Sequence, residues 1–248
     1  MWDIGPKTRL GAVGVAAEAQ VVHRSLDGRR FQLSGALDLG LPFTSVLDVA
    51  VGGRLHEFTA GVAGLGADVA GALGGTGFDE EFSYSGGALL VGRLRPYDRQ
   101  AKLVEDLLVG VWRGERYCLV TQLYGLTTAD LLGLLRTLRI EEHDDGLAVG
   151  LAPRGGGEFA APATVVKQIP ELGLLEVSPL TDQHVKSLPS WRGLSTPAGE
   201  MFTDSLADGK PYFVLAATDT WTTLVPVSAA TADQMAGRVG RLRVRLVG

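Results

Sequence analysis

Val109-Gly110-Val111-Trp112, Arg113-Gly114-Glu115 and Arg116-Tyr117-Cys118-Leu119-Val120-Thr121-Gln122-Leu123 run into Thr127-Thr128-Ala129-Asp130 and then Leu131-Leu132-Gly133-Leu134-Leu135. The opening pieces read as strand, tight turn and strand, because β-branched and aromatic residues suit a pleated, half-buried surface and glycine suits the bend. Thr127 and Asp130 stand at the spacing of a helix cap. Behind them Leu131, Leu132, Leu134, Leu135 and Leu138 make one apolar stripe. One stretch thus holds a hairpin and a capped helix, which sets the expected class as α+β.

The same pattern precedes it. Val13 to Val22 leads to Asp27-Gly28, and Arg30 to Ser34 returns. Phe43 to Val51 meets Gly52-Gly53, after which Arg54 to Phe58 alternates. Glu81 to Tyr84, Gly86-Gly87 and Ala88 to Leu94 make a third hairpin. The expected architecture is hairpin-rich antiparallel sheet, a barrel or a sandwich, with two capped helices. The second cap is Thr231-Ala232-Asp233-Gln234, before Met235 and Val239 and the alternating Arg241, Arg243 and Arg245.

That second cap makes an echo. Leu119-Val120, the Thr127 cap and Leu147 to Leu151 are matched by Leu224-Val225, the Thr231 cap and Arg241 to Val247. Two related strand–helix–strand modules, 107–151 and 211–247, fit this echo; so does coincidence, since Thr-Ala-Asp is a common way to begin a helix. Pro153 to Pro162, with Gly155-Gly156-Gly157, reads as a linker between a β-rich domain over 1–153 and a smaller α+β domain over 163–248. Leu180 to Lys210 reads as an irregular excursion. Ala60 to Gly77 is apolar yet dense in glycine, which weakens a helix by up to about 1 kcal/mol per residue. Close packing, across a subunit contact for instance, explains it better than a flexible loop.

Composition narrows the function. The chain has 248 residues, 46% apolar and 21% charged, within the globular range. Its net charge of −5 argues against nucleic acid, which is bound through basic surface. Cys118 is the single cysteine, so no disulfide scaffold forms, and a buried inert thiol in a strand is the expected role. No basic-then-apolar leader and no membrane span is read from the sequence. A cytoplasmic protein, or one incorporated in a particle assembled in the cytoplasm, is expected.

Candidate chemistry is sparse. Glu141-Glu142-His143-Asp144-Asp145 groups potential metal ligands, but consecutive residues rarely converge on one ion and the calcium-loop spacing is missing, so a solvated turn is expected. Asp182 and His184 with Ser187 or Ser190 hold the residue types of a nucleophilic triad, yet no nucleophile elbow surrounds them and a loop histidine is expected. His23 and His56 are expected in structural roles. Gly61-x-x-Gly64-x-Gly66 has neither the lysine of a phosphate loop nor a third glycine at 69. Phe78 to Tyr84 mixes acids with aromatics, and Trp2, Trp112, Trp191 and Trp221 are scattered, each read as a core or interface anchor.

No catalytic, metal or cofactor residue is therefore assigned. The leading expectation is a non-enzymatic structural or assembly protein, a subunit of a multi-protein particle such as a phage or tail-like assembly. It would work through protein partners or self-assembly, without nucleic acid or a membrane span. The alternative is a binding or adaptor module, a secretion chaperone or sensor domain holding a peptide or apolar ligand on a curved sheet. An enzyme with dispersed catalytic residues stands third.

Overall fold

Glycine turns set the register of the sheet. The computed structural model describes residues 18–98, 102–153, 155–170, 172–228 and 235–248. Strands β1 (Ala19–Arg24) and β2 (Arg30–Gly35) flank the turn that holds Asp27-Gly28. Strands β3 (Phe43–Val51) and β4 (Arg54–Val62) are joined by Gly52-Gly53, both at positive φ, the pair that a two-residue hairpin demands. Helix α1 (Leu65–Ala72) follows. Then come β5 (Glu80–Tyr84) and β6 (Gly87–Leu94), the small pair β7 (Tyr97–Asp98) and β8 (Leu103–Val104), and the hairpin β9 (Leu107–Arg113) with β10 (Tyr117–Tyr124).

Helix α2 (Thr128–Leu135) has the expected Thr127 capping box: Thr127 accepts from the Asp130 N–H, and the Asp130 carboxylate accepts from the Thr127 N–H. It leads to β11 (Leu138–His143) and β12 (Gly146–Leu151). The stretch read as a linker carries β13 (Gly157–Phe159), paired with β3. Next come β14 (Thr164–Ile169), β15 (Gly173–Pro179) and α3 (Asp182–Ser187). The supposed irregular excursion supplies β16 (Leu194–Thr196) and β17 (Gly199–Ser205), so it is part of the sheet. The chain ends with β18 (Pro211–Ala216), β19 (Thr220–Pro226), α4 (Met235–Val239) and β20 (Arg243–Val247). The Thr231 cap lies outside the described residues.

The pairing reveals a repeat larger than the echo. The large sheet runs β16-β17-β18-β19-β15-β14-β3-β4-β10-β9-β6-β5. Read outward from the antiparallel β3–β14 pair, each half has the same order: a hairpin, the second strand of a later hairpin, its first strand, and an outer hairpin. Along the chain each half is also hairpin, helix, hairpin, hairpin, helix, apart from the inserted β7–β8 pair. The regions 107–151 and 211–247 hold the last hairpin and helix of each half, followed by strands of the second sheet. Joined side by side, the halves lengthen the sheet, and β16 and β5 end it without pairing to each other. The fold is α+β and built on antiparallel sheet, as expected, but it does not close into a barrel.

A second sheet, β11-β12-β1-β2-β20, borrows strands from both ends of the chain. It shares two cores with one face of the large sheet, called here the inner face. One core gathers Leu26, Leu147 and Val149 with Phe58, Trp112 and the α2 leucines. The other gathers Phe31, Leu33 and Val244 with Val165, Leu175 and Leu224. Burying each such side chain contributes roughly 1.5–3 kcal/mol.

Period two sends alternate residues of the same strands to the opposite, outer face. There Leu90, Val109, Val111, Cys118 and Val120 form a third core beneath Leu65, Val69 and Leu73. The glycines of 60–77 are thereby explained in part. A Cβ on Gly66 would overlap the Val111 side chain, so close packing is present, within the chain. On the inner face a Cβ on Gly110 would come within 2.8 Å of Leu131, which seats α2.

Candidate functional site

The acidic run 141–145 is a set of clamps. The Glu142 carboxylate accepts three backbone N–H groups from the β9–β10 turn: Glu115 at 2.9 Å, Arg116 at 2.6 Å and Tyr117 at 2.9 Å. Partial burial opposes ionisation, but these donors prevail and hold the carboxyl below its ordinary range. Asp145 takes Arg24 Nε at 2.9 Å and Arg30 Nε at 2.8 Å, tying the second sheet's two hairpins together. Burial again opposes ionisation, and again the paired donors lower its pKa. Asp144 pairs with Arg116 at 2.6 Å. Among the described residues no group of three potential ligands could hold a metal ion. The run is more than the solvated turn expected, because it fastens three hairpins to one another.

The triad candidates come close together and fail on geometry. Thr181 caps α3 through a capping box in which His184 Nδ1 accepts the Thr181 N–H at 3.3 Å. Ser187 Oγ donates to the His184 carbonyl at 2.7 Å, not to its ring, and Ser190 is exposed beyond the helix. His184 and Asp182 do line one cleft of about 370 Å³, together with Ser178. A triad needs Nδ1–H donated to a carboxylate and a free Nε2 lone pair facing the hydroxyl. Here Nδ1 is the acceptor, which fixes the proton on Nε2. Burial lowers the His184 pKa further from its ordinary value.

The His184 ring instead stacks on Trp221, centroids 4.7 Å apart at 12°. Trp221 forms one wall of a neighbouring groove of about 440 Å³, lined also by Pro189, Trp191, Phe202, Tyr212 and Val214. Register explains the convergence. On the outer face Phe202 pairs with Val214, Asp204 with Tyr212 and Ala216 with Trp221. Trp191, in the segment after α3, closes over Phe202 at 5.5 Å and remains 58% exposed. Tyr212 Oη donates to Asp204 Oδ2 at 3.1 Å. Burial and that carboxylate both raise the phenol's pKa.

The tryptophans are thus not simply scattered. Trp112 is buried, donating Nε1–H to the Tyr84 carbonyl at 2.9 Å, while Trp191 and Trp221 share the groove. Trp2 lies outside the described residues. The mixed segment 78–84 splits in two: Phe78 joins the α1 core, Phe82 and Tyr84 pack against the α2 core, and Glu80 pairs with Arg93 at 2.6 Å. Cys118 is fully buried, its thiol donating to the Val62 carbonyl at 3.3 Å, and burial pushes its pKa up.

One buried polar group is unusual. His23 stacks on Phe43, 4.5 Å away and nearly parallel at 8°, while Lys167 Nζ lies 4.0 Å from the centroid of the same ring. Lys167 and Phe43 are cross-strand partners at the junction of the halves. Lys167 Nζ donates to the Leu41 carbonyl, whereas His23 Nε2 is buried with no hydrogen-bond partner among the described residues. Burial, opposed by Asp145 and reinforced by Lys167, lowers the His23 pKa to about 4. His56 is also lowered, by burial and Arg54, but it belongs to none of these groupings.

Among the described residues no helix is long and apolar enough to cross a membrane. Compared with known proteins, the chain matches no family model, no curated protein and no solved structure.

Proposed function

We propose that this chain is a non-enzymatic, protein-binding subunit of a multi-protein assembly, a phage or tail-like particle being the type expected. The observation that carries this reading is the outer-face groove, where Trp191, Phe202, Tyr212 and Trp221 converge and Trp191 stays 58% exposed. Aromatic side chains gathered in a concave patch are the usual anchors of protein interfaces, since they bury large area at small entropic cost. The clefts beside α3 hold residues of catalytic type, but His184 is committed to its own helix cap. A protein partner in the cytoplasm, or in a particle built there, suits the groove better than nucleic acid, given the net charge of −5.

Affinity capture of the tagged full-length chain from its source cells, followed by sizing with light scattering, tests the proposal. A stoichiometric complex that dissolves on Trp191→Ala is expected. A monomer with the same elution in both forms would remove the reading. The groove also favours a second reading, an adaptor or chaperone that holds a peptide client transiently. In that case the complex exchanges freely with added client.

A further inference from the structure

The two halves of the large sheet differ in what covers their outer face. In the first half α1 lies over it, with Leu65, Val69 and Leu73, spaced i, i+4 and i+8, upon Leu90, Val109, Val111 and Val120. The outer face is continuous between the halves: Val111 pairs with Val120, Val120 with Thr59, Thr59 with Val46, and so through β14 and β15 to Thr223, Val214 and Phe202. The helix at the matching place in the second half is α3. It has 6 residues against 8 in α1, and none of them is buried. It flanks the groove and does not cover it. The second half therefore presents much of the surface on which its counterpart seats a helix: His184 of α3 stacks on one face of Trp221, while Tyr212 and Trp221 stay half-buried and Trp191 exposed along the groove.

Charge adds a second constraint. Among the described residues lining the groove, Asp204 is the only charged one. Asp204 Oδ1 accepts its neighbour Ser205 N–H at 2.7 Å and Oδ2 accepts Tyr212 Oη at 3.1 Å, which leaves acceptor capacity on both oxygens. Among the described residues no cation pairs with it. Resting on the reading of the groove as a protein-binding surface, we infer that its occupant is an amphipathic helix of a partner protein. Its apolar side chains recur at i, i+4 and i+8, as those of α1 do, and a flanking Lys or Arg meets Asp204. The helix completes the second half as α1 completes the first.

The test uses full-length protein and a fluorescein-labelled synthetic peptide of about four helical turns, with leucines at that spacing and lysine at the flanks. Its comparators are a scrambled peptide of equal composition and a proline-rich peptide of equal charge. Saturable anisotropy is expected for the striped peptide, about tenfold tighter than for either comparator. Trp191→Ala should weaken it about tenfold, and Asp204→Asn should weaken it less while flattening its salt dependence. Both substituted positions are exposed, and circular dichroism verifies that the variants fold.

Equal binding of striped and scrambled peptides overturns the inference. So does preference for the proline-rich peptide, which would make the occupant an extended chain. Dimerisation abolished by Trp191→Ala overturns it as well, since a second copy would then fill the groove. Failure of the broader proposal reads differently. If the striped peptide binds as expected but capture from source cells yields no Trp191-dependent complex, the assembly reading falls and the groove's chemistry stands. If such a complex is captured while the striped peptide fails, the helix inference alone falls.

Discussion

His23 shows how a single side chain makes stability depend on pH. Its ring is held neutral in the fold, with a pKa of about 4 against an ordinary 6.5. Below pH 6.5 the unfolded chain takes up a proton that the folded chain refuses, so stability falls as pH drops toward 4 and then levels. The full difference is about 3 kcal/mol, from 1.4 kcal/mol per pH unit. Asp145, in the β11–β12 turn, and Lys167, on β14 of the large sheet, act on the same ring in opposite senses. Replacing His23 by Phe keeps the stack on Phe43 and removes the unpartnered Nε2. Urea denaturation between pH 4 and 7 should show a shallower slope for His23→Phe and equal or greater stability at pH 7. An unchanged slope would assign the pH dependence to other groups.

Individual elements offer paired comparisons. In α1, Gly66 and Gly71 are one residue type in one helix with opposite surroundings: a Cβ at 66 meets Val111, and at 71 nothing lies within 4 Å. Gly71→Ala should stabilise by roughly 0.5–1 kcal/mol through helix propensity. Gly66→Ala should destabilise by about 1–2 kcal/mol, because overlap with a packed strand outweighs that gain. Chemical denaturation of the two variants decides, and equal shifts would mean that α1 is not seated on β9. In the β9–β10 turn, Glu142→Ala leaves three N–H groups without their acceptor and should cost about 1–3 kcal/mol by the same measurement.

Elements whose causes are local were legible in the sequence. Gly52-Gly53 fixes its own hairpin, and Thr127 with Asp130 caps its own helix whatever else the chain does. Glu142 was misread because its partners lie 25 to 27 residues away, on a turn that carries no mark of needing an acceptor. The groove was hidden for the same reason. Trp191, Phe202, Tyr212 and Trp221 belong to different segments; strand register places the last three on one face, and the segment after α3 folds Trp191 over Phe202. The i, i+2 spacing of Phe202 and Asp204 and of Tyr212 and Val214 was present as a signal, but which face it serves depends on pairing.

For the molecule as a whole, the echo between 107–151 and 211–247 falls beside a broader likeness, the shared strand order of the two halves of the large sheet. That likeness lies in which strands pair, so residue patterns alone did not expose it. The second sheet makes the ends of the chain interdependent, since β2 pairs with β1 on one side and β20 on the other. Removing residues 242–248 would uncover the β2 edge and strip Leu242 and Val244 from the core around Phe31 and Leu33. That truncation should raise the light-scattering mass through edge-to-edge association, because an unpaired strand invites another. A monodisperse monomer with an unchanged melting temperature would show β20 to be dispensable.

The β2–β20 pairing also bears on how the protein is made. Gln32 and Arg245, hydrogen-bonded at 3.1 Å, lie 213 residues apart. At about 5–20 residues per second, a ribosome needs roughly 10–40 s to travel between them. Throughout that interval the emerging chain holds an apolar strand whose neighbour has not been synthesised. The β2 edge is completed only once residues 243–247 have also left the ribosome, so this sheet closes long after its first strands emerge. A nascent-chain holdase bound near residues 30–35 would have this interval in which to act.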